Sequence, residues 1–270
     1  MNPKIKKMLS GFLREDLGTG DITSKLLTNS VIRAKIVSRE SGVVAGVIFS
    51  KELFVMNGCT VEIIHRDGQR IRAGSLIFYV HGPLRSILSV ERTALNLMSR
   101  MSGVATATQQ MKCKVNGRVK ILATRKTMPG MRFFDKEAVQ IGGGFRHRMS
   151  LSDRILIKDN HLSADSMESL ILKAKRKDPK FEIEVDSSLD TIRAAKLGAR
   201  FILLDNFTPK QIRHTITLLK KYKLRKNITL EASGGITLKN ISAYSKTGVD
   251  FISSGVITNS AHSIDYSLEM

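Results

Sequence analysis

The spacing of hydrophobic and polar positions in the first hundred residues differs from that in the rest of the chain. A helical opening at 5–17 precedes short β-rich runs at 33–39, 43–48, 60–64 and 75–80. The dipeptide Asp67-Gly68 lies between two of these runs and is typical of a hairpin turn. Apolar residues then recur at helical spacing over 89–102. This part of the chain predicts a small mixed α/β domain that ends in a connecting helix.

From residue 119 onward, short apolar runs recur at the spacing of βα units. The runs are 119–122, 155–157, 181–185, 201–204, 228–230 and 250–252. Helix signals lie between them, such as Thr208-Pro209, which places a capping threonine before a proline in the first turn. Strands that alternate with helices pair in parallel through right-handed crossovers. Since six units are fewer than a full eight-fold barrel needs, we expect an incomplete parallel α/β barrel of six or seven strands.

Charged and small polar residues follow each of these runs. In parallel α/β barrels the carboxyl ends of the strands share one face, where active sites are built. The segments expected on that face are 124–127, 158–161, 182–184, 205–206, 231–235 and 253–255. Any one of them could be an ordinary solvated loop. Because polar residues accompany all six runs, and both cations and carboxylates are among them, the pattern predicts a common site.

Glycine-containing turns within these segments predict binding of an anion. Ser233-Gly234-Gly235 is expected to open a helix, where backbone N–H groups and the helix dipole attract negative charge. Ser254-Gly255 follows the next strand and would lie beside it. The glycines at 142–144 and the following Arg146-His147-Arg148 predict a second anion loop. None of these runs has the spacing of a Walker loop or a dinucleotide fingerprint.

Carboxylates after two successive runs indicate a metal site. Glu184 and Asp205 could hold Mg²⁺ through water while they contact hydroxyls or a phosphate-bearing substrate. Zinc is not expected, because His147 and His161 are far apart and neither has a Cys or second His at ligand spacing.

The charge balance favours anionic partners without naming one. Lys and Arg number 44 against 24 Asp and Glu, a net charge of +20, which favours nucleic acid, acidic membranes or polyanionic small substrates. The cations are spread along the chain, without a basic tail or an aromatic-interleaved ribonucleoprotein motif. No apolar run reaches the ~18–20 residues of a membrane span, and no secretory signal is expected. Cys59 and Cys113 are expected to be free thiols in a reducing cytoplasm.

Motifs along nearly the whole chain resemble those of a known family. They lie at 15–23, 91–96, 102–106, 124–132, 142–148, 156–161, 182–184, 204–206, 231–235 and 248–255. In this order they resemble the quinolinate phosphoribosyltransferases, which are type II phosphoribosyltransferases. The resemblance implies a cytoplasmic, Mg²⁺-dependent enzyme of NAD biosynthesis. It would join quinolinate to phosphoribosyl pyrophosphate and give nicotinate mononucleotide, pyrophosphate and CO₂.

The resemblance also implies a domain organisation and an assembly. An N-terminal α/β sandwich domain with the connecting helix would cover 1–103, and an α/β barrel catalytic domain would cover 104–257. A C-terminal segment at 258–270 would return to the N-terminal domain. The protein would act as a homodimer or higher homo-oligomer, with Arg92 contributed across the interface. Its partners would be the two small substrates, with neither nucleic acid nor membrane.

Residue roles follow from the resemblance position by position. Lys126, Glu184 and Asp205 would be catalytic, and the two carboxylates would bind Mg²⁺ or the ribose hydroxyls. The quinolinate carboxylates would be bound by Arg92, Arg125, His147, Arg148 and Lys158. The 5′-phosphate would be bound by Ser233, Gly234, Gly235, Ser254 and Gly255. Ala123, Glu137, Arg146 and Asn259 depart from the residues common in the family, which bears on phosphate and substrate affinity.

Two other interpretations compete with this one. A related group, the phosphoribosyltransferase-like proteins associated with molybdenum transport, shares the Thr-Arg-Lys-Thr and Gly-Gly-Gly segments, but the run at 158–161 favours quinolinate. A non-catalytic anion- or nucleic-acid-binding protein would use the net charge. Glu184 and Asp205 would repel its ligand, however, and its binding would weaken steeply with salt.

Overall fold

The structure is a computed structural model that describes residues 1–270, and the chain divides into two compact units. The first unit comprises Met1–Ala107, Gln140–Gly142 and Ala261–Met270. The second comprises Thr108–Val139 and Gly143–Ser260. Each unit has its own sheet.

Helices and strands alternate through most of the chain. The helices are α1 Pro3–Leu17, α2 Val47–Met56, α3 Leu84–Val115, α4 Arg132–Ile141, α5 Asp159–Leu162, α6 Met167–Lys177, α7 Ser188–Lys196, α8 Pro209–Lys221, α9 Ile241–Ser245 and α10 Val256–Asn259. The strands are β1 Val31–Ser38, β2 Gly42–Val43, β3 Thr60–Ile63, β4 Arg70–Ile71, β5 Leu76–Pro83, β6 Lys120–Leu122, β7 Leu156–Ile157, β8 Glu182–Val185, β9 Phe201–Asp205, β10 Thr229–Ser233, β11 Phe251–Ser253 and β12 Tyr266–Glu269.

A four-stranded antiparallel sheet organises the first unit. Its strand order is β12-β1-β5-β3, and a two-stranded sheet of β2 and β4 accompanies it. The core of this unit includes the rings of Phe54 and Phe78, which meet edge to face with centroids 6.1 Å apart. The predicted mixed α/β character is confirmed.

The structure contradicts two details predicted for this unit. The run at 43–48 is not a strand, because β2 ends at Val43 and α2 begins at Val47. The turn at Asp67-Gly68 does not close a hairpin, since β3 pairs with β5 whereas β4 pairs with β2. The Asp67 carboxylate instead accepts the N–H of Val47 at 2.9 Å. It therefore caps the start of α2, an interaction between distant segments that local turn patterns do not reveal.

Six parallel strands form the sheet of the second unit. Their order is β6-β11-β10-β9-β8-β7, so β6 and β7 are the two edges and are not paired with each other. An isolated parallel bridge joins Leu122 of β6 to Phe145. The prediction of an incomplete parallel barrel is confirmed, with six strands.

Helix caps and strand register determine what reaches the carboxyl edge of this sheet. Thr208 caps α8 by accepting the N–H of Gln211, with Pro209 in the first turn, so the crossover before β10 begins where the sequence predicted. Register then sets Asp205 opposite Ser233 and Glu184 opposite Leu203. Since alternate strand residues share a face, Glu182 and Glu184 lie on the same side of β8.

Two further findings concern the whole chain. No helix in residues 1–270 combines the length and the apolar character that crossing a membrane requires. Neither Cys59, which is buried, nor Cys113, which is exposed, takes part in a disulfide.

Candidate active site

A cavity of about 310 Å³ lies at the carboxyl ends of the parallel strands. The structure brings every predicted site residue of the second unit into its lining. These residues are Arg125, Lys126, His147, Arg148, Lys158, Glu184, Asp205, Ser233, Gly234, Gly235, Ser254 and Gly255. Arg92 is not among the lining residues. It belongs to α3 in the first unit, its side chain is 64% exposed, and it lies 3.8 Å from the Glu91 carboxylate.

Cationic side chains from the segment after β6 and from the segment before β7 line one wall of the cavity. The Nε atom of Arg125 is buried and has no hydrogen-bond partner. Burial and the neighbouring Arg125 hold the pKa of Arg148 below its usual range, although a guanidinium still carries its charge at any physiological pH. Arg125 therefore lines the cavity and keeps one donor that no protein group uses.

Two carboxylates face these cations across the cavity. Glu184 forms an ion pair with Lys158, and its side chain is 12% exposed. Asp205 accepts a hydrogen bond from Asn206 at 2.8 Å. Carboxylate oxygens are the ligands that Mg²⁺ prefers in proteins, usually one or two of them together with water and substrate phosphates. Glu184 and Asp205 therefore fit the chemistry of a magnesium site shared with a phosphorylated substrate.

His147 contacts two glutamates at the base of the cavity. Its Nε2 atom lies 3.2 Å from Glu182 Oε2 and 3.7 Å from Glu231 Oε2. Burial and the nearby Glu182 raise the pKa of Glu231 to about 8. Burial acts most strongly on Glu182 and raises its pKa, but the hydrogen bond with His147 and the charges of His147, Arg154 and Arg148 together hold the pKa below its ordinary value. Of these two carboxyl groups, Glu182 therefore holds its negative charge more readily than Glu231.

Sequence reasoning did not find this His147–Glu182–Glu231 contact. Both glutamates were expected only as part of the polar ends of their strands. They are instead buried, with 2% and 5% exposure. The alternation of side chains along β8 and β10 was the available signal, because it places them inside the barrel below Glu184 and Ser233.

The turn after β10 lies very close to Asn206, in the turn after β9. Gly234 has φ +89° and Gly235 φ +59°, and a Cβ atom on Gly234 would lie 2.1 Å from Asn206 Oδ1. Ser254 donates a hydrogen bond from its hydroxyl to the Ile236 carbonyl at 2.7 Å, which joins this turn to the one after β11. The two turns predicted for the 5′-phosphate are therefore adjacent and tied together.

The helix-dipole part of the anion prediction, which was made for the turn at 233–235, is wrong. The helix α9 begins only at Ile241 and has five residues, and α10 has four. Such short helices contribute little aligned dipole. Backbone N–H groups and the Ser233 hydroxyl are what these turns can offer to a phosphate, because the Ser254 hydroxyl already donates to the Ile236 carbonyl.

The triple glycine at 142–144 does not line the cavity. A Cβ atom on Gly144 would lie 2.8 Å from Val139 Cγ1 and 2.9 Å from Thr108 Cγ2, so this glycine permits close packing. Arg146 forms an ion pair with Glu137. Of the predicted second anion loop, only His147 and Arg148 reach the cavity.

Comparisons with known proteins agree with this geometry. Family models for the quinolinate phosphoribosyl transferase N-terminal and C-terminal domains match residues 21–102 and 104–269. A probable carboxylating nicotinate-nucleotide pyrophosphorylase of Methanothermobacter thermautotrophicus is 43% identical over 267 residues, which is 96% of each chain. A protein of the same description from Bacillus subtilis is 39% identical, over 99% of this chain and 93% of its own.

A solved structure extends the likeness to three dimensions. The nicotinate-nucleotide pyrophosphorylase of Ehrlichia chaffeensis matches with a TM-score of 0.93 and 35% identity, over 100% of this chain and 99% of its own. Both domain models match in order, and relatives above 30% identity align over nearly the full length. The chain belongs to the quinolinate phosphoribosyl transferase family.

Proposed function

We propose that the cavity transfers the phosphoribosyl group of phosphoribosyl pyrophosphate to quinolinate and releases pyrophosphate and CO₂. The product would be nicotinate mononucleotide. The observation that carries this proposal is the juxtaposition, around one cavity, of the cationic side chains of Arg125, Lys126, Arg148 and Lys158 with the carboxylates Glu184 and Asp205. The names of the relatives support the same reaction.

Quinolinate binding would use the cationic wall. Its two adjacent carboxylates need donors on both sides, which Arg125 and Arg148 provide in the planar fork that suits carboxylates. His147 and Lys158 would complete the contacts. Lys158 is paired with Glu184. The incoming anion would therefore compete with Glu184 for this lysine and weaken the ion pair.

Ribose activation would use the carboxylate side. As the bond to pyrophosphate weakens, positive charge develops on the ribose, and Glu184 and Asp205 are placed to stabilise it. Mg²⁺ held by these two residues would neutralise the leaving pyrophosphate when bound, and Lys126 would contribute a further positive charge. The adjacent turns at Ser233 and Ser254 would hold the 5′-phosphate and so fix the ribose.

Bond formation then needs no covalent enzyme nucleophile. The pyridine nitrogen attacks the anomeric carbon as pyrophosphate departs with the bonding electrons. When CO₂ leaves the adjacent ring carbon, its bonding electron pair stays on that carbon, where the positive pyridinium nitrogen stabilises it, and the pair then bonds a proton in place of the carboxyl group.

An activity assay tests the proposed reaction directly. We expect turnover with phosphoribosyl pyrophosphate, Mg²⁺ and quinolinate, and little or none when nicotinate replaces quinolinate, because nicotinate lacks the second carboxylate. Product formation is followed by chromatography of the mononucleotide and by CO₂ release. A preference for nicotinate would contradict the proposal.

We further propose that the active form is a homodimer in which Arg92 completes the neighbouring subunit's site. The support is that Arg92 is exposed, is held only by a long contact of 3.8 Å with its neighbour Glu91, and lies outside the cavity of its own chain. Mixing inactive Arg92→Ala and Lys126→Ala variants should then restore part of the activity, because some mixed dimers contain one site with both residues intact. A confirmed mixed dimer without activity would show that each site is self-contained. The expected cytoplasmic location stays a prediction.

A further inference from the structure

Lys136, on α4, is a buried lysine that forms no ion pair, and the Asp153 carboxylate only partly offsets the effect of burial, which lowers its pKa. Its side chain has no exposure to solvent. The Nζ atom donates hydrogen bonds to two backbone carbonyls, that of Arg146 at 2.6 Å and that of Arg148. Lysine ordinarily keeps its ammonium group in water, and burial of a charge without an opposite charge is unfavourable. A residue of this kind calls for a reason beyond packing.

The two carbonyls flank His147, whose backbone is unusual. His147 has φ +52°, in the left-handed region that non-glycine residues seldom adopt. One ammonium group therefore holds the backbone carbonyls of the residues before and after this strained residue. The residues affected are functional, because His147 and Arg148 both line the main cavity.

Neighbouring groups hold the same segment from its other end. Arg132 lies one helical turn before Lys136 on α4 and donates to the Met149 carbonyl at 3.2 Å. The Asp153 carboxylate accepts the N–H of Met149 at 2.6 Å. The backbone from Arg146 to Met149 is thus fixed by side chains on α4 and by a later loop residue, in a stretch that has no regular secondary structure.

We propose that Lys136 is a positioning residue for quinolinate binding, which it serves by fixing the backbone that directs His147 and Arg148 into the cavity. The proposal rests on the proposed function, since quinolinate is the ligand that these two side chains would contact. Two carbonyls that converge on one point require a donor, and an apolar side chain of the same length cannot supply it.

The charge of Lys136 is a separate property from its hydrogen bonds. Burial and the nearby Arg132 lower its pKa to about 8, so the group is mainly cationic at pH 7. A neutral amine would still have two N–H donors for the two carbonyls. Positioning is therefore expected to persist above pH 8, whereas replacement of the nitrogen removes it at any pH.

The test compares Lys136→Met with the matched control Lys173→Met, whose lysine is 68% exposed and paired with Asp165. In Lys136→Met we expect the dissociation constant for quinolinate to rise roughly ten- to hundredfold, the loss of hydrogen bonds from a charged donor. The constant for phosphoribosyl pyrophosphate should stay within about threefold, because its predicted contacts do not involve 146–148. The control should change neither. Unchanged quinolinate affinity, or equal loss for both substrates, would overturn the proposal.

A double-mutant cycle separates positioning from general stability. If Lys136 acts through Arg148, Lys136→Met should weaken quinolinate binding much less in an Arg148→Ala background than in the wild type. Full additivity would overturn the proposal. If Lys136→Met does not fold, Lys136→Gln, which keeps an amide donor, is used instead, and failure of both variants to fold would assign Lys136 to stability alone. Wild-type protein that does not turn over quinolinate would reject the proposed function before any variant is compared.

Discussion

Replacing Arg125 with alanine is expected to weaken quinolinate binding roughly ten- to hundredfold while the protein stays folded. The Arg125 Nε atom is buried, has no partner, and belongs to a side chain that lines the cavity. A hydrogen bond to a charged group contributes about 1.5–3 kcal/mol, which corresponds to this range of dissociation constants. The folded state loses no hydrogen bond from that atom, so stability should change little.

Calorimetric titration of quinolinate into wild type and Arg125→Ala measures this effect. The matched control is Arg193→Ala, which removes an exposed guanidinium paired with Glu168 and should leave the affinity unchanged. Exposed ion pairs of this kind contribute about 0–1 kcal/mol to stability. If Arg125→Ala bound quinolinate as tightly as Arg193→Ala does, the dicarboxylate would have to bind elsewhere in the cavity.

The parallel sheet could be predicted from the sequence because its strands are buried on both faces. Each strand therefore appears as a short continuous apolar run, and the helices between them carry recognisable caps such as Thr208 with Pro209. The same reasoning placed Glu184 and Asp205 on one rim, since strand direction alone decides where the carboxyl ends lie. These predictions needed only local patterns and one topological rule.

Predictions that depended on contacts between distant segments were less successful. Val47 and Ile48 are β-branched and favour a strand locally, yet they begin α2, which is held at its start by Asp67 from a later turn. Strand β2, which precedes α2, pairs with β4 only as far as Val43. Tertiary contacts outweighed the local preference, and no spacing within the segment indicates them.

The site shows the same division between local and distant information. His147 and Arg148 could be recognised as candidate anion ligands, but the groups that hold them could not. Glu182 is 35 residues from His147 in the chain, and Lys136 resembled any other helical lysine. Only the fold shows that its ammonium is buried against the carbonyls of this segment. The ends of the strands predict which residues bind a ligand. The residues that orient them can be identified only from the packing of the folded chain.

Replacing Gly234 with alanine is expected to lower both stability and activity strongly. Gly234 has φ +89°, and strained backbone of this kind costs a residue with a side chain about 1–3 kcal/mol. The added Cβ would also lie 2.1 Å from Asn206 Oδ1 and 2.6 Å from the Asn206 backbone nitrogen. Because one of these atoms is backbone, relief requires movement of the turn after β9 and adds about 1–3 kcal/mol of overpacking.

The matched control is Gly117→Ala, at φ +72° with no atom within 4 Å of its Cβ position. Alanine at this position has the free-energy cost of a left-handed backbone but makes no steric clash. At about 2–4 °C per kcal/mol for a domain of this size, Gly234→Ala should melt several degrees below Gly117→Ala. Asn206 donates to the Asp205 carboxylate, so its displacement should also reduce kcat, whereas Gly117→Ala should keep full activity. Equal melting temperatures and equal rates would mean that the turn after β10 is not packed against Asn206, and the close approach of the two turns at the phosphate end of the cavity would have to be abandoned.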